Sequence, residues 1–483
     1  METKEVSFLE KIMQSVAVKL IMILVLTLIM LIPMHWISEL IDERKYREQE
    51  VNSEIALKWG KQQVIGTPVL AIPYTKIADQ ISEKKVQNTE VKVIEKVKVT
   101  EWIFLLPNHV KIDSKVSPEP LKRGIYKVVV YNTKLNITGD FDSLNLSKLK
   151  IDPADVNWDQ ARVVFGVEDF KGLKATPQFS WKDQKLELEP DFNNLTLFSQ
   201  SLTAPVSIAN EKDSKQNFNI SFDLKGSKSL NFLPLAAQTD ISISGNWSNP
   251  SFNGAFLPED RQVGTNNFSA KWSIPSFSRK LPQSWTGTAE TLYKFYSDVE
   301  ETQYAATTMT EPASATTYTQ QTLTNDDMVS VNFLPEVNQY QKTTRVAKYG
   351  ILVILLTFTA LLFTEIVKKQ RIHIIQYILI GAAMALFYSL LLALSEQMGF
   401  NIAYVLAALA TVGLIAAFIK GVTKDNKTAA IFAGILSTFY IFIFVLMQLR
   451  DLSLIVGTIG MFVILAVLMR LSTKINWYQF DNK

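Results

Sequence analysis

The side chains best suited to chemistry are few and scattered. The chain has no cysteine and three histidines: His35, His109 and His373. Without cysteine there is no thiol nucleophile, no disulfide and no thiolate metal ligand. The histidines fall in three separate regions, with no spacing that would close a metal site. No Walker loop, GxGxxG, HExxH or GxSxG run occurs. Asp and Glu are plentiful, and spacing alone does not say which of them pair in space. No cofactor, metal or catalytic residue is expected on this evidence.

The polar residues with the strongest claim to a role lie at the ends of long apolar runs. They are Arg345, Lys348, Glu365, Gln376, Glu396 and Arg450. Ionisable groups in or beside membrane helices point to function by default. At a helix end, ion pairing or contact with lipid headgroups competes with a transport role and is here the preferred reading. Glu396 has Arg345, Lys348 and Arg450 on its own side of the membrane as counter-ions. The preferred reading is that all four side chains point into headgroups, with ion pairing as the alternative.

The elements that must position these residues are membrane spans. A helix needs about 20 mostly apolar residues to cross the hydrocarbon core. Five runs qualify near the C-terminus: Tyr349–Val367, Ile372–Leu394, Ile402–Ile419, Thr428–Met447 and Leu452–Leu471. Ala403, Ala407, Ala410 and Ala417 lie near one face of the middle run, as close helix packing requires. A sixth run, Lys19–Trp36, follows Lys4 and Lys11 and lacks small residues at a cleavage site. It reads as an uncleaved signal anchor, with Lys19 snorkelling to the cytoplasmic face. Basic residues at the short loops favour both termini in the cytoplasm. The expected layout is 1–37 cytoplasmic start and anchor, 38–348 periplasmic, 349–471 a five-helix bundle, and 472–483 a cytoplasmic tail.

Between anchor and bundle, the pattern changes. Glu39–Gly60 reads as a helix prolonging the anchor, with Val51, Ile55 and Trp59 on one stripe and Gly60 as its stop. Then apolar residues alternate at period two: Phe218, Ile220, Phe222 and Leu224, or Phe268, Ala270, Trp272 and Ile274. Val91, Val93, Val97 and Val99 alternate too, with a slip at Ile94–Lys96. Tyr126–Phe141 reads as one long strand or a hairpin bent at Asn132-Thr133. The segment is therefore expected to be an all-β, sandwich-like domain, with length enough for two subdomains. Residues 300–327, rich in Thr, Ala and Ser, read as a mobile loop. The net charge of +3 gives no case for nucleic acid as a partner.

Several stretches carry a family resemblance. RVAKYGILVILLTFTALLFTE, QYILIGAAMALFYSLLLALSE and GFNIAYVLAALATVGLI resemble the membrane block of the CreD family of bacterial inner-membrane proteins. EIALKWGKQQVIGTPVLAIPY, LKRGIYKVVVY, WSNPSFNGAFLP and KINWY extend the likeness over nearly the whole chain. Two positions depart from the family pattern: Gln397 stands where it has His, and Arg450 where it has Glu. The resemblance implies a role in cell-envelope integrity and in stress or colicin tolerance, and it supplies no catalytic residues. The preferred reading is a non-enzymatic membrane protein whose partners are the bilayer and a periplasmic protein or envelope polymer. The alternatives are a transporter or channel, and a membrane enzyme acting on envelope lipid or glycan.

Overall fold

Backbone in hydrocarbon must satisfy its own hydrogen bonds, so the long apolar runs fold as helices. The computed structural model describes residues 16–86, 89–191, 195, 197–287, 292, 323, 327–334, 339–368, 372–449 and 452–473. Contacts divide the chain into two units. One comprises Met1–Glu50, Gly124–Tyr126 and Val337–Lys483, and the other Val51–Arg123 and Lys127–Glu336.

The helical unit begins with α1 (Val16–Ile29) and α2 (Leu31–Trp59). Pro33 has no N–H to offer the carbonyl four residues back, and the helix is interrupted at Met30 accordingly. The 29 residues of α2 span about 44 Å, longer than the hydrocarbon core. As expected, the helix stops at Gly60, whose φ of 148° suits glycine. A side chain there would also press on the Lys225 carbonyl.

The remaining helices are α3 (Gln339–Lys348), α4 (Gly350–Lys368), α5 (Ile374–Met398), α6 (Phe400–Thr423), α7 (Asn426–Gln448) and α8 (Ser453–Ser472). Among the described residues, five stretches are long and apolar enough to cross a membrane: Val18–Trp59, Gln339–Ile366 and helices α5, α6 and α7. With the shorter apolar α8 they account for the six runs read from the sequence. The α3 segment lay outside the expected spans. It is a helix because Tyr340, Thr343, Val346 and Ala347 form a buried stripe among polar residues. On α6 the buried stripe is Ala403, Ala407, Thr411, Ile415 and Ile419, at a strict spacing of four. Ala410 and Ala417, expected on that face, are exposed. Aromatic rings fill the middle of this core: Phe387 meets Tyr440 at 4.6 Å, and the Tyr404 hydroxyl donates to the Tyr440 carbonyl at 2.7 Å.

The other unit is β-rich, with sheets of four, six and eight strands among the described residues. The six-stranded sheet buries both faces. Leu70, Ile72, Ile103, Leu105, Val163 and Phe165 enter one core, while Val69, Ala71, Phe104, Leu106 and Val164 enter another. This double burial explains why VLAIPY is continuously apolar and shows no alternation. The eight-stranded sheet alternates cleanly. Tyr126–Asp140 is a single strand, paired along Asn217–Ser227 from Asp140↔Asn217 to Val130↔Ser227. It does not bend at Asn132-Thr133, and Thr133 is buried with its hydroxyl 2.9 Å from that of Ser114.

The slip at Ile94–Lys96 is not a bulge either. The Val69–Val86 and Thr89–Leu105 hairpin keeps register from Leu70↔Leu105 to Val86↔Thr89. Ile94 and Ile77 are both 65% exposed, so no core enforces alternation at that point. Among the described residues, two pairings are parallel, Gln63–Gly66 with Ser229–Leu233 and Gln238–Gly245 with His109–Val116. A plain antiparallel sandwich would not contain them. A satisfied polar network holds the four-stranded sheet. Asn231 donates to the Gln63 carbonyl at 2.8 Å and accepts from Ser330 at 2.7 Å. Of 300–327, only Leu323 and Asp327 are described, and the expected mobile loop otherwise lies outside the described residues.

Candidate functional site

Two polar clusters in the helical unit form around two of the five described candidates, Glu365 and Glu396. In the first, Glu365 near the end of α4 faces Lys19 of α1, with Nζ 2.6 Å from Oε1. The Tyr377 hydroxyl on α5 donates to the other carboxylate oxygen at 3.2 Å. The Glu365 side chain is 5% exposed and that of Lys19 is 23% exposed. A carboxylate taken this far from water needs a cation and hydrogen bonds to remain charged. Glu365 is thus buried rather than at the solvent edge. Lys19, read as snorkelling to the cytoplasmic face, pairs with it instead.

Gln376 has a local task. Its Oε1 accepts from the His373 backbone N–H at 3.0 Å, while His373 Nδ1 accepts from Ile375 N–H at 3.3 Å. This is a capping box that starts α5.

The second cluster forms around Glu396, near the far end of α5. Its Oε1 accepts from the Tyr340 hydroxyl at 3.2 Å and lies 3.9 Å from Arg44 Nε. Among the described residues, the counter-ion comes from α2. Arg345 and Lys348 are exposed at the end of α3, and neither pairs with Glu396. Arg450 lies outside the described residues. Two further contacts tie the same end together. Gln448 donates to Asn401 at 3.0 Å, and Lys342 sits 5.3 Å from the Phe400 ring centre.

Sequence reasoning missed Lys19 and Arg44 as partners because each is over 300 residues from its acid. A signal was present in Lys19, a charge at the very start of an apolar run.

The β-rich unit has its own half-buried acid. Glu168 lies with Ser199 in a small cleft between Gly66 and Gly166, roofed by Phe198. The Phe198 ring occupies the space where either glycine would carry a side chain. Burial pushes the Glu168 carboxyl up to about 7, with Ser199 and Lys61 opposing. Tyr74 is likewise pushed up to about 12 by burial and by its 2.6 Å hydrogen bond to Glu101. Among the described residues, no group of three His, Asp or Glu could hold a metal ion.

The fold and these clusters define a class: a membrane protein of several spans carrying a large β-rich unit between the first span and the rest. The chain belongs to the CreD family, whose model, described as inner membrane protein CreD, matches residues 15–478. It is 28% identical over 455 residues to inner membrane protein CreD of Escherichia coli (strain K12), covering 94% of this chain and 92% of that protein. Among solved structures, an M1 zinc metallopeptidase from Deinococcus radiodurans aligns with 69% of this chain and 94% of its own. The identity is 7% and the TM-score 0.19, so no fold, metal or activity carries over.

Proposed function

We propose that the chain is a non-enzymatic inner-membrane protein supporting cell-envelope integrity and stress or colicin tolerance. The β-rich unit is its binding part, placed in the periplasm, and both termini are cytoplasmic. One observation carries the binding role. Asp260–Val263 is an edge strand of the eight-stranded sheet, with all four residues exposed. Beside it in sequence Leu257 is 69% exposed, and Phe277, just after the strand it pairs with, is 97% exposed. An open edge strand with large apolar side chains offers backbone and hydrocarbon to an incoming segment. The occupant suited to such an edge is an extended periplasmic segment of a protein partner.

The test is Leu257→Ser combined with Phe277→Ser in a strain dependent on this protein. Tolerance should fall while the chain stays in the membrane and melts as wild type. Unchanged tolerance at wild-type abundance overturns the reading. Reporter fusions after Lys483 and within 307–324 test the topology. A C-terminal reporter active only in the periplasm would invert it.

The transporter reading draws support from the buried Lys19–Glu365 pair. It is second because that pair lies at the end of a span, with its charges matched within the bundle.

A further inference from the structure

A crevice of about 500 Å³ opens among α4, α7 and α8. Its walls include Ala360, Phe363, Ile431, Ile435, Val463 and Val467. The volume falls in the range of built small-molecule sites, about 300–1,000 Å³. Three threonines also line it, and each spends its hydroxyl locally. Thr364 donates to the Ala360 carbonyl at 2.9 Å, Thr438 to the Gly434 carbonyl at 2.9 Å, and Thr428 to Asp425 at 2.6 Å. The walls therefore present methyl groups, methylenes and rings to whatever lies inside.

The crevice has a packing origin. On α8, Gly460 leaves room for the Phe442 ring of α7, and Gly457 faces Leu446. Small residues bring the two helices together there. Beyond Gly460, the larger Val463, Ile464, Val467 and Leu468 line the opening. From Thr428 to Phe439 the crevice follows α7 for about 16 Å, near half of the hydrocarbon thickness. That is the depth of one leaflet.

One end is basic. Lys427 lies one turn before Ile431 on α7, and Arg470 one turn after Val467 on α8, and both are exposed. The nearby acid, Asp425, is engaged at the start of α7, accepting from the Lys427 N–H at 2.9 Å.

We propose that this crevice is a binding site for one anionic phospholipid, with an acyl chain along α7 and the headgroup between Lys427 and Arg470. The occupant must be hydrocarbon because the walls offer no free polar group and lie within membrane-spanning helices. Lipid tails are as apolar as leucine, so the chain gains packing contacts and little else. Selectivity then resides in the headgroup, through the two cations.

The test uses the full chain in detergent, stripped of lipid. Palmitoyl-oleoyl phosphatidylglycerol or phosphatidylcholine is titrated in while the melting temperature is followed. Both should raise it, the anionic lipid at roughly thirtyfold lower concentration, as two basic residues near a headgroup imply. Ala360→Trp, which fills the crevice from α4, should abolish both responses. Lys427→Gln with Arg470→Gln should remove the preference and keep the phosphatidylcholine response. A folded Ala360→Trp chain that responds as wild type overturns the proposal, as does a wild-type chain indifferent to both lipids. Should Ala360→Trp not fold, the unaltered chain in nanodiscs is photolysed with phosphatidylglycerol carrying a mid-chain diazirine. Labels concentrated on Ile431, Ile435, Val463 and Val467 support the site. Labels spread evenly over the outward faces of α5 and α6 overturn it.

Discussion

Glu365 and Glu396 lie near the C-terminal ends of two consecutive, oppositely running spans, α4 and α5, and share the same two kinds of partner. Each accepts from a tyrosine hydroxyl on a neighbouring helix, and each faces a cation from the α1–α2 segment. They differ in closure. Lys19 touches Glu365 at 2.6 Å, whereas Arg44 stops 3.9 Å from Glu396. The Lys19 side chain is 23% exposed and that of Arg44 is 40%. The first pair is the less exposed of the two and depends on its cation. The second is wetter, and the Tyr340 hydroxyl takes a larger share of the acid's stabilisation. In lipid, helices gain no hydrophobic energy by touching, so polar contacts set their register. The two pairs hold the N-terminal segment against the bundle at two points, one tight and one loose.

The largest effect should follow from opening the tight pair. Lys19→Met leaves the Glu365 carboxylate buried without its cation. A loss of about 3–5 kcal/mol is expected for an orphaned buried charge. Adding Glu365→Gln to Lys19→Met should recover most of it, because the neutral amide still accepts from Tyr377. Chemical or thermal unfolding in detergent measures both. If Lys19→Met loses no more stability than Arg44→Met, the contrast between the clusters is broken.

In the β-rich unit a half-buried acid, Glu168, is relieved by taking up a proton and not by a cation held at contact distance. Its folded pKa is raised from the ordinary 4.5 to about 7, chiefly by burial. An acid raised on folding binds more protons folded than unfolded between those values. Stability is therefore highest below about 4.5 and declines as pH rises toward 7. Glu168→Gln should remove that decline and gain about 1–3 kcal/mol at pH 8 relative to wild type. The readout is the difference in melting between wild type and variant from pH 4.5 to 8. Parallel curves would show that Glu168 titrates normally.

Spans and strands were legible in the sequence because solvent writes them directly. Hydrocarbon demands long apolar runs, and a half-buried sheet face demands alternation, as in Phe218 to Leu224. Where both sheet faces are covered, as at Val69–Ile72, or neither, as at Ile77 and Ile94, alternation lost its meaning. The α3 helix was missed because its buried stripe is short and broken by Thr343. The acids of the candidate site were legible as charges at span ends. Their partners were not, since ion pairing across more than 300 residues leaves no local period. Glu396 was assigned to nearby basic residues by sidedness, but sidedness does not choose between Arg345 and Arg44. The helix that brings Arg44 alongside is α2, and its reach depends on packing that no window of sequence contains.

The smallest effect tests that choice. Arg44 and Glu396 are within ion-pair range but one partner is well solvated, so their coupling should be below about 1 kcal/mol. A double-mutant cycle with Arg44→Gln and Glu396→Gln, read by melting in detergent, should give this small positive coupling, decreasing as salt is raised. The same cycle with Arg345→Gln should be additive, because Arg345 is exposed and does not pair with Glu396. Tyr340→Phe supplies the third arm. A hydrogen bond to a charged acceptor in a nearly buried setting exceeds a wet ion pair, so Tyr340→Phe should lose more stability than Arg44→Gln. If instead Arg345 couples to Glu396 and Arg44 does not, α2 is not the element that neutralises this acid, and the loose clasp on the N-terminal segment disappears while the tight one at Glu365 stands.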